Sequence, residues 1–414
     1  MSLATRRACG LGLLLAVAGI SLATATARRE VPPLQPWIDV TPTGGTLRVP
    51  PGTYAGPVRI DRPMTVDGQG QATIDGQGRG TVLTVKASGV TVRGLTLTGS
   101  GESHDRIDGG IFVEGNGNRI ENNRIEDVLF GITLHQANDN RVIGNRIRSK
   151  PWEIADRGDG IRIWYSTGNR IENNDIAQIR DVTVSNSPHN HYVNNRIRDS
   201  RRAMNFLFSQ RSIVEGNDFS DNATGLTILN SDGMIIRGNR IAHAMDASGA
   251  GIALKESIAA LIHDNEILHC AVGILSDSPL QMQSRIVIIG NRLSHNVAGI
   301  KFYGERGGHL IFNNRLEHNL WPAMVGGDDV HDGNVWHGNY WADYEGFDLD
   351  RDGVGDAPYE LWAYADRIWI DTPMARFFRN SPVLELLDFL ERLAPFSTPV
   401  LVLRDPAPVF ERPR

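Results

Sequence analysis

The sequence predicts an all-β fold, a right-handed parallel β-helix of about 10–12 coils with a short α-helical C-terminal tail. Three observations carry that expectation. Ten asparagines, Asn123, Asn145, Asn174, Asn195, Asn217, Asn239, Asn265, Asn291, Asn314 and Asn339, recur at spacings of 21 to 29 residues. Each is followed two residues later by a bulky apolar side chain, from Ile125 and Ile147 through Phe219 to Leu316 and Trp341, and is preceded at three residues by another, from Ile120 to Trp336. Between these anchors apolar residues stand two or three apart, broken by Gly, Asn and Asp, which suits short strands and turns and leaves no run of 3.6-residue periodicity long enough for a helix.

A unit of about 22 residues with three short strands is one turn of a parallel solenoid. Neighbouring coils then lie about 4.8 Å apart, with equivalent side chains directly above one another. Asparagine suits the inward turn position because its amide can donate to one coil and accept from the next. It also tolerates left-handed backbone conformations. A third anchor follows a small residue in Gly131-Ile132, Ala203-Met204, Gly225-Leu226, Gly273-Ile274 and Gly299-Ile300. The β-helix is expected over residues 40–345, with early coils from Leu47 to Leu97.

Residues 1–27 read as a signal peptide: Arg6 and Arg7, an apolar run from Cys9 to Ala23, then the small-residue site Ala25-Thr26-Ala27. That run is shorter than the roughly 20 residues a membrane span needs, so export to the periplasm is expected. Cleavage would leave Cys270 as the single cysteine and take the formal charge from −6 to −8, because two arginines leave with the peptide. An acidic exported rod is a poor nucleic-acid ligand, since that affinity rests on neutralising phosphates.

The tail spans 361–414, with an amphipathic helix expected at about 382–394, where Ser381 offers an N-cap and Pro382 the first helical position. Leu384, Leu387, Phe389, Leu390 and Leu393 form most of a wide apolar face. Such a face either caps the open end of the solenoid or docks on a membrane partner or the bilayer surface.

Two constellations carry possible chemistry. Asp348, Asp350, Asp352 and Asp356, with Gly353 at the sixth place and the Val354 carbonyl at the seventh, match the first nine positions of a calcium loop within the Asp/Gly-rich segment 346–360. The twelfth position departs from that pattern, with Tyr359 in place of the bidentate glutamate. A structural calcium ion is the expectation here. The second constellation is a matter of register: His243, His269, His295 and His318 each stand four residues after a ladder asparagine, where other coils hold Asp127, Asp199, Asp221 and Asp343. In-register stacking makes them a column of imidazoles, good ligands for copper and zinc that could share ions; a solvated turn column is the plainer reading.

Weaker candidates are His189 and His191, Met204 and Met324, and His331 and His337 near the last coil. For a glycan-active enzyme the chain offers only a loose group of Asp105, Asp108, Asp156 and Asp159 with Arg106 and Arg157, and the pair Asp328 and Asp329. No catalytic residues are assigned. A polysaccharide lyase or epimerase acting on uronate glycans is the alternative reading, and an adhesive scaffold a third.

The stretch from Asn334 through Gly338-Asn339-Tyr340-Trp341 to Pro358-Tyr359, placed between the Asn-Arg-Ile coils and Ser381-Pro382-Val383-Leu384, resembles the NosD family, β-helical periplasmic proteins that mature nitrous oxide reductase. The resemblance implies an accessory protein with no enzymatic activity of its own. It would work with the permease and ATPase subunits of an ABC transporter, through which it would be membrane-associated. It would relay copper towards the reductase, with a copper chaperone among its partners. On that reading the apolar face of the tail docks on the permease.

Overall fold

The computed structural model describes residues 31–277, 285–303, 307–326, 333–363, 386, 389, 390 and 400–410. Its architecture is a parallel β-solenoid. One 24-stranded sheet forms two adjoining faces of each coil and a 12-stranded sheet forms the third. Arg119–Glu121, Arg124–Val128 and Phe130–His135 are the three strands of one such coil. Strands pair in parallel with the equivalent strand of the next coil, as Val142 does with Ile120 on one side and Ile171 on the other.

The predicted anchors fill the interior. The first-face column from Ile120 to Trp336, the second-face column from Ile125 to Trp341 and the third-face residues Ile132, Met204, Leu226, Ile274 and Ile300 are all buried. Small residues before the third anchor have a steric cause: a Cβ on Gly131 would stand 2.1 Å from the Gly160 carbonyl oxygen. Ala203 fits at the equivalent place where the register shifts between the strands Asp181–Ser185 and Arg202–Leu207.

The asparagines behave as expected and form an unbroken ladder. Each backbone N–H from Asn123 to Asn314 donates to the Oδ1 of the next asparagine at 2.8–3.1 Å. Each Nδ2 also reaches a carbonyl of the preceding coil, as Asn217 does to Tyr192 at 3.0 Å. Both faces of the amide are thereby satisfied in a dry interior. A second ladder of serines, Ser166, Ser187, Ser209, Ser231 and Ser257, runs along another corner.

Both ends are closed by elements that the repeat does not announce. A short helix, Gln35–Val40, buries Ile38 beside the first coils. At the other end Tyr359–Ala363 pairs antiparallel with Val400–Asp405. The fully buried Asp405 takes the place of the next asparagine: its Oδ2 accepts from Asn339 N–H, Asn339 Nδ2 and Trp341 Nε1 at 3.0, 2.9 and 3.2 Å. The strand Val400–Asp405 thus caps the ladder, whereas the sequence offers the apolar face of the tail helix either that role or docking.

Candidate functional site

The histidine column forms. His243, His269, His295 and His318 are exposed on successive coils at the corner between the second and third faces. Adjacent ring centroids are 5.5, 5.1 and 5.2 Å apart, with planes inclined by 33°, 30° and 46°. The backbone fixes this stack. All four residues have left-handed φ of 51–62°, and the N–H groups of His243, His269 and His295 donate across to the next coil at Leu268, Ser294 and Glu317. Left-handed turns favour short polar side chains that can bond locally, which explains why Asp127, Asp199 and Asp221 share the position and geometry.

Local partners orient two of the rings. Asp221 Oδ1 lies 3.0 Å from His243 Nδ1, and Ser294 Oγ 2.8 Å from His295 Nδ1. A carboxylate or hydroxyl on one ring nitrogen sets the tautomer and leaves the other to serve as a ligand. Beyond His318 the column continues as Asp343, and the two flank a shallow hollow that also includes Leu320 and Pro322. The rings stack and do not converge, so the corner provides successive pairs of imidazoles, not one closed cage. Among the described residues the only three donor groups gathered within 4.8 Å of one another belong to Asp348, Asp350 and Asp352.

Those three aspartates lie in the loop that follows the last coil. Asp348 accepts from Arg351 N–H and Gly353 N–H at 2.7 and 2.9 Å, and its carboxyl is held below the usual range: these backbone bonds outweigh the opposing cost of desolvation. Asp350 goes the other way. The largest single influence on it, a bond from Asp352 N–H, is outweighed by desolvation and the neighbouring charges of Asp352 and Asp356, so its carboxyl is raised. Crowded like charges of this kind are relieved by a cation. The fourth predicted carboxylate, Asp356, is not part of that group of three and accepts from Leu349 N–H at 2.6 Å. Val354 bridges to Val409 in the capping segment.

Tyr359, the departure at the twelfth place, has a different task. Its ring stacks on Trp341 with centroids 4.2 Å apart and planes 10° apart, and its hydroxyl donates to Asp343 at 3.1 Å. Burial, reinforced by the Asp343 charge, pushes that hydroxyl well above the ordinary tyrosine range.

The tail candidates divide. Phe389 and Leu390 are exposed and helical, whereas Leu384, Leu387 and Leu393 lie outside the described residues. So do the signal-peptide segment, His331, Asp328 and Asp329. No helix among the described residues is long and apolar enough to cross a membrane. His191 is tied into an ion network, with Nδ1 3.0 Å from Arg170 Nη1 and Nε2 3.1 Å from Glu215 Oε2. His189 is exposed and Met204 is core filler.

The loose acidic group does not assemble as a catalytic set. Asp105 and Asp156 are exposed, while Asp108 and Asp159 are buried and each bonds its own arginine, Arg106 and Arg180. Sequence reasoning missed Asp181, Arg180, Arg201 and Arg202, which the register shift brings together, and Asp405, whose ladder partner lies 66 residues away. Only the Asp-to-Asn likeness of their hydrogen-bonding roles could have suggested Asp405.

Fold and site together define a parallel β-solenoid with an open imidazole column and a capped, aspartate-rich end. Comparison with known proteins gives that class a family. The model described as "Periplasmic copper-binding protein (NosD)" matches residues 143–346, and one described as "Protein of unknown function (DUF1565)" matches residues 44–199. The Pseudomonas aeruginosa protein named "Probable ABC transporter binding protein NosD" is 30% identical over 429 residues, covering 100% of this chain and 97% of its own. Its Stutzerimonas stutzeri namesake is 28% identical and covers 84% of this chain and 83% of its own. The chain belongs to the NosD family. Among solved structures, the periplasmic alginate epimerase AlgG aligns with a TM-score of 0.49 at 15% identity over 67% of this chain and 79% of its own. PfbA, a surface adhesin of Streptococcus pneumoniae, aligns with 0.47 at 12% identity over 68% and 86%.

Proposed function

We propose that this protein is a periplasmic, non-enzymatic accessory subunit that works with an ABC transporter and passes copper to nitrous oxide reductase. The observation that carries the reading is the uninterrupted stack of four exposed imidazoles at 5.1–5.5 Å. Imidazole is a strong copper ligand, and an ion held by two neighbouring rings can exchange one ring for the next without leaving the column. Exposure keeps the column open to a donor chaperone at one end and an acceptor at the other. Asp221 and Asp343 at its two ends add attraction for a cation. The printed names of the relatives, which associate them with an ABC transporter, support the partner assignment.

Docking on the permease is assigned to the apolar face of the C-terminal helix, which includes Phe389 and Leu390. Deleting the tail is the wrong test, because it would also remove the Asp405 cap. The better one is co-purification of the full-length chain, and of a Phe389→Asp/Leu390→Asp variant, with detergent-solubilised permease and ATPase. The account expects capture of the wild type and loss of capture in the variant at unchanged melting temperature; equal capture of both would overturn the docking assignment.

The Asp348–Asp350–Asp352 loop is assigned to a structural calcium ion, supported by the convergence of its three carboxylates. Calcium would steady the connection between the last coil and the capping strand. Calorimetric titration with calcium should release heat and raise the melting temperature, and Asp350→Asn should abolish both; a silent titration would sink the assignment.

A further inference from the structure

The outer surface of the 12-stranded sheet, the third face of the coils, carries a site that the copper reading does not use. Phe112, His135, Trp164 and Tyr165 form a continuous aromatic strip over three coils: Phe112 to His135 at 5.5 Å, His135 stacked on Trp164 at 4.4 Å and 30°, and Trp164 against Tyr165 at 4.5 Å. Tyr165 and, two coils further, Phe208 are 53% and 51% exposed and occupy the turn after the third strand with φ of 47° and 51°. Asparagine holds that turn in the coils between and beyond, at Asn186 and Asn230. Bulky side chains are strained at positive φ, so an exposed aromatic there incurs a cost that folding does not explain.

Beside the strip lies an arginine cluster built on two buried carboxylates. Arg180 binds Asp159 Oδ1 at 3.0 Å, and Arg201 is paired with Asp181. Asp159 and Asp181 are 1% and 2% exposed, and Asp159 Oδ2 has no hydrogen-bond partner among the described residues. Arg162 and Arg202 stand 3.6 Å from these same carboxylates, and among the described residues neither guanidinium makes a hydrogen bond. Four guanidinium groups against two carboxylates leave two positive charges on a chain whose formal charge is −6. Arg162 projects from the same strand and face as Trp164, about 7 Å along it.

We infer that this face binds an acidic saccharide, with a pyranose ring laid on Trp164 and its carboxylate held by the guanidinium groups of Arg162 and Arg202, whose ion pairs with Asp159 and Asp181 leave their hydrogen-bond donors unused. A planar fork matches a carboxylate in two parallel hydrogen bonds, and an aromatic face offers the apolar side of a pyranose ring a flat surface to pack on. Between the platforms Thr183, Ser185 and Asn205 offer hydroxyl and amide partners on the same outward rows. The roughly 10 Å from Tyr165 to Phe208, two coil heights, leaves room for more than one sugar along the rod axis.

The test is titration of the full-length protein with tetragalacturonate, using maltotetraose and tetraglutamate as neutral and non-sugar controls, followed by calorimetry and tryptophan fluorescence. Tetragalacturonate should bind at least tenfold more tightly than either control. Trp164→Ala and Arg162→Gln/Arg202→Gln should each weaken it at least tenfold at unchanged melting temperature, and Trp164→Phe should retain it. The variant with all four column histidines replaced should bind as the wild type, which separates this site from the copper reading. Absence of binding, equal binding of tetraglutamate, or indifference to the Trp164 and arginine changes would overturn the assignment.

Discussion

Replacing Asp405 tests how the solenoid is closed. One carboxylate oxygen accepts three buried donors: Asn339 N–H, Asn339 Nδ2 and Trp341 Nε1. Asp405→Leu leaves all three without an acceptor in a dry site, at about 1–3 kcal/mol each. Summed, that is about 3–9 kcal/mol; partial hydration of the terminal coil trims the expected loss to about 3–6 kcal/mol, a large share of a domain stability of about 5–15 kcal/mol. Asp405→Asn keeps an acceptor oxygen but no charge, and should cost about 1–2 kcal/mol. A solenoid couples each coil mainly to its neighbours, so the damage should concentrate in the last coil. Hydrogen exchange is the direct assay: at about 1.4 kcal/mol per decade, the Asn339 amide and Trp341 indole protons should exchange roughly 10²–10⁴ times faster in Asp405→Leu. The Asn195 amide, mid-rod, should change much less. Exchange at Asn339 within threefold of wild type would show that Asp405 is not the cap.

Three further outcomes follow from other parts of the rod. Glu317 is desolvated, which alone would raise its carboxyl, but hydrogen bonds from Arg315 and Arg292 outweigh that and hold it below its ordinary value. The stability it contributes is therefore present above the ordinary glutamate range and lost as pH falls through the lowered folded value. Unfolding measured between pH 6 and pH 2 should lose part of its acid dependence in Glu317→Gln. Cys270 is buried and its thiol is pushed up to about 11 by desolvation, so a thiol reagent at pH 8 should label it only at the rate of unfolding; rapid labelling of native protein would contradict its core position. Gly131→Ala would force a methyl towards the Gly160 carbonyl oxygen, 2.1 Å from the ideal position, and should destabilise by about 2–3 kcal/mol in urea melts.

How much could be read in advance depended on the range of each signal. The asparagine period placed the coils, the core anchors and the histidine corner, because in a solenoid the same offset from Asn239, Asn265, Asn291 and Asn314 always reaches the same corner. Periodicity says nothing about the ends. The helix Gln35–Val40 and the Asp405 strand occur once each, and Asp405 acts through a partner that no local pattern connects to it. Tyr359 looked like a defect in a calcium loop because its stacking partner Trp341 belongs to the last coil. The placing of Arg202 opposite Asp181 depends on a register shift between two strands, a feature that short-range patterning does not encode.

The central claim is that copper travels on the imidazole column, and site-resolved NMR of the histidine rings during anaerobic Cu(I) titration addresses it most directly. The account predicts that the ring signals of His243, His269, His295 and His318 shift together. His189, His263 and His337 should stay in place, and affinity should fall at least tenfold when all four column residues become alanine with the fold intact. Copper binding of unchanged affinity in that variant, or shifts confined to histidines elsewhere, would contradict it.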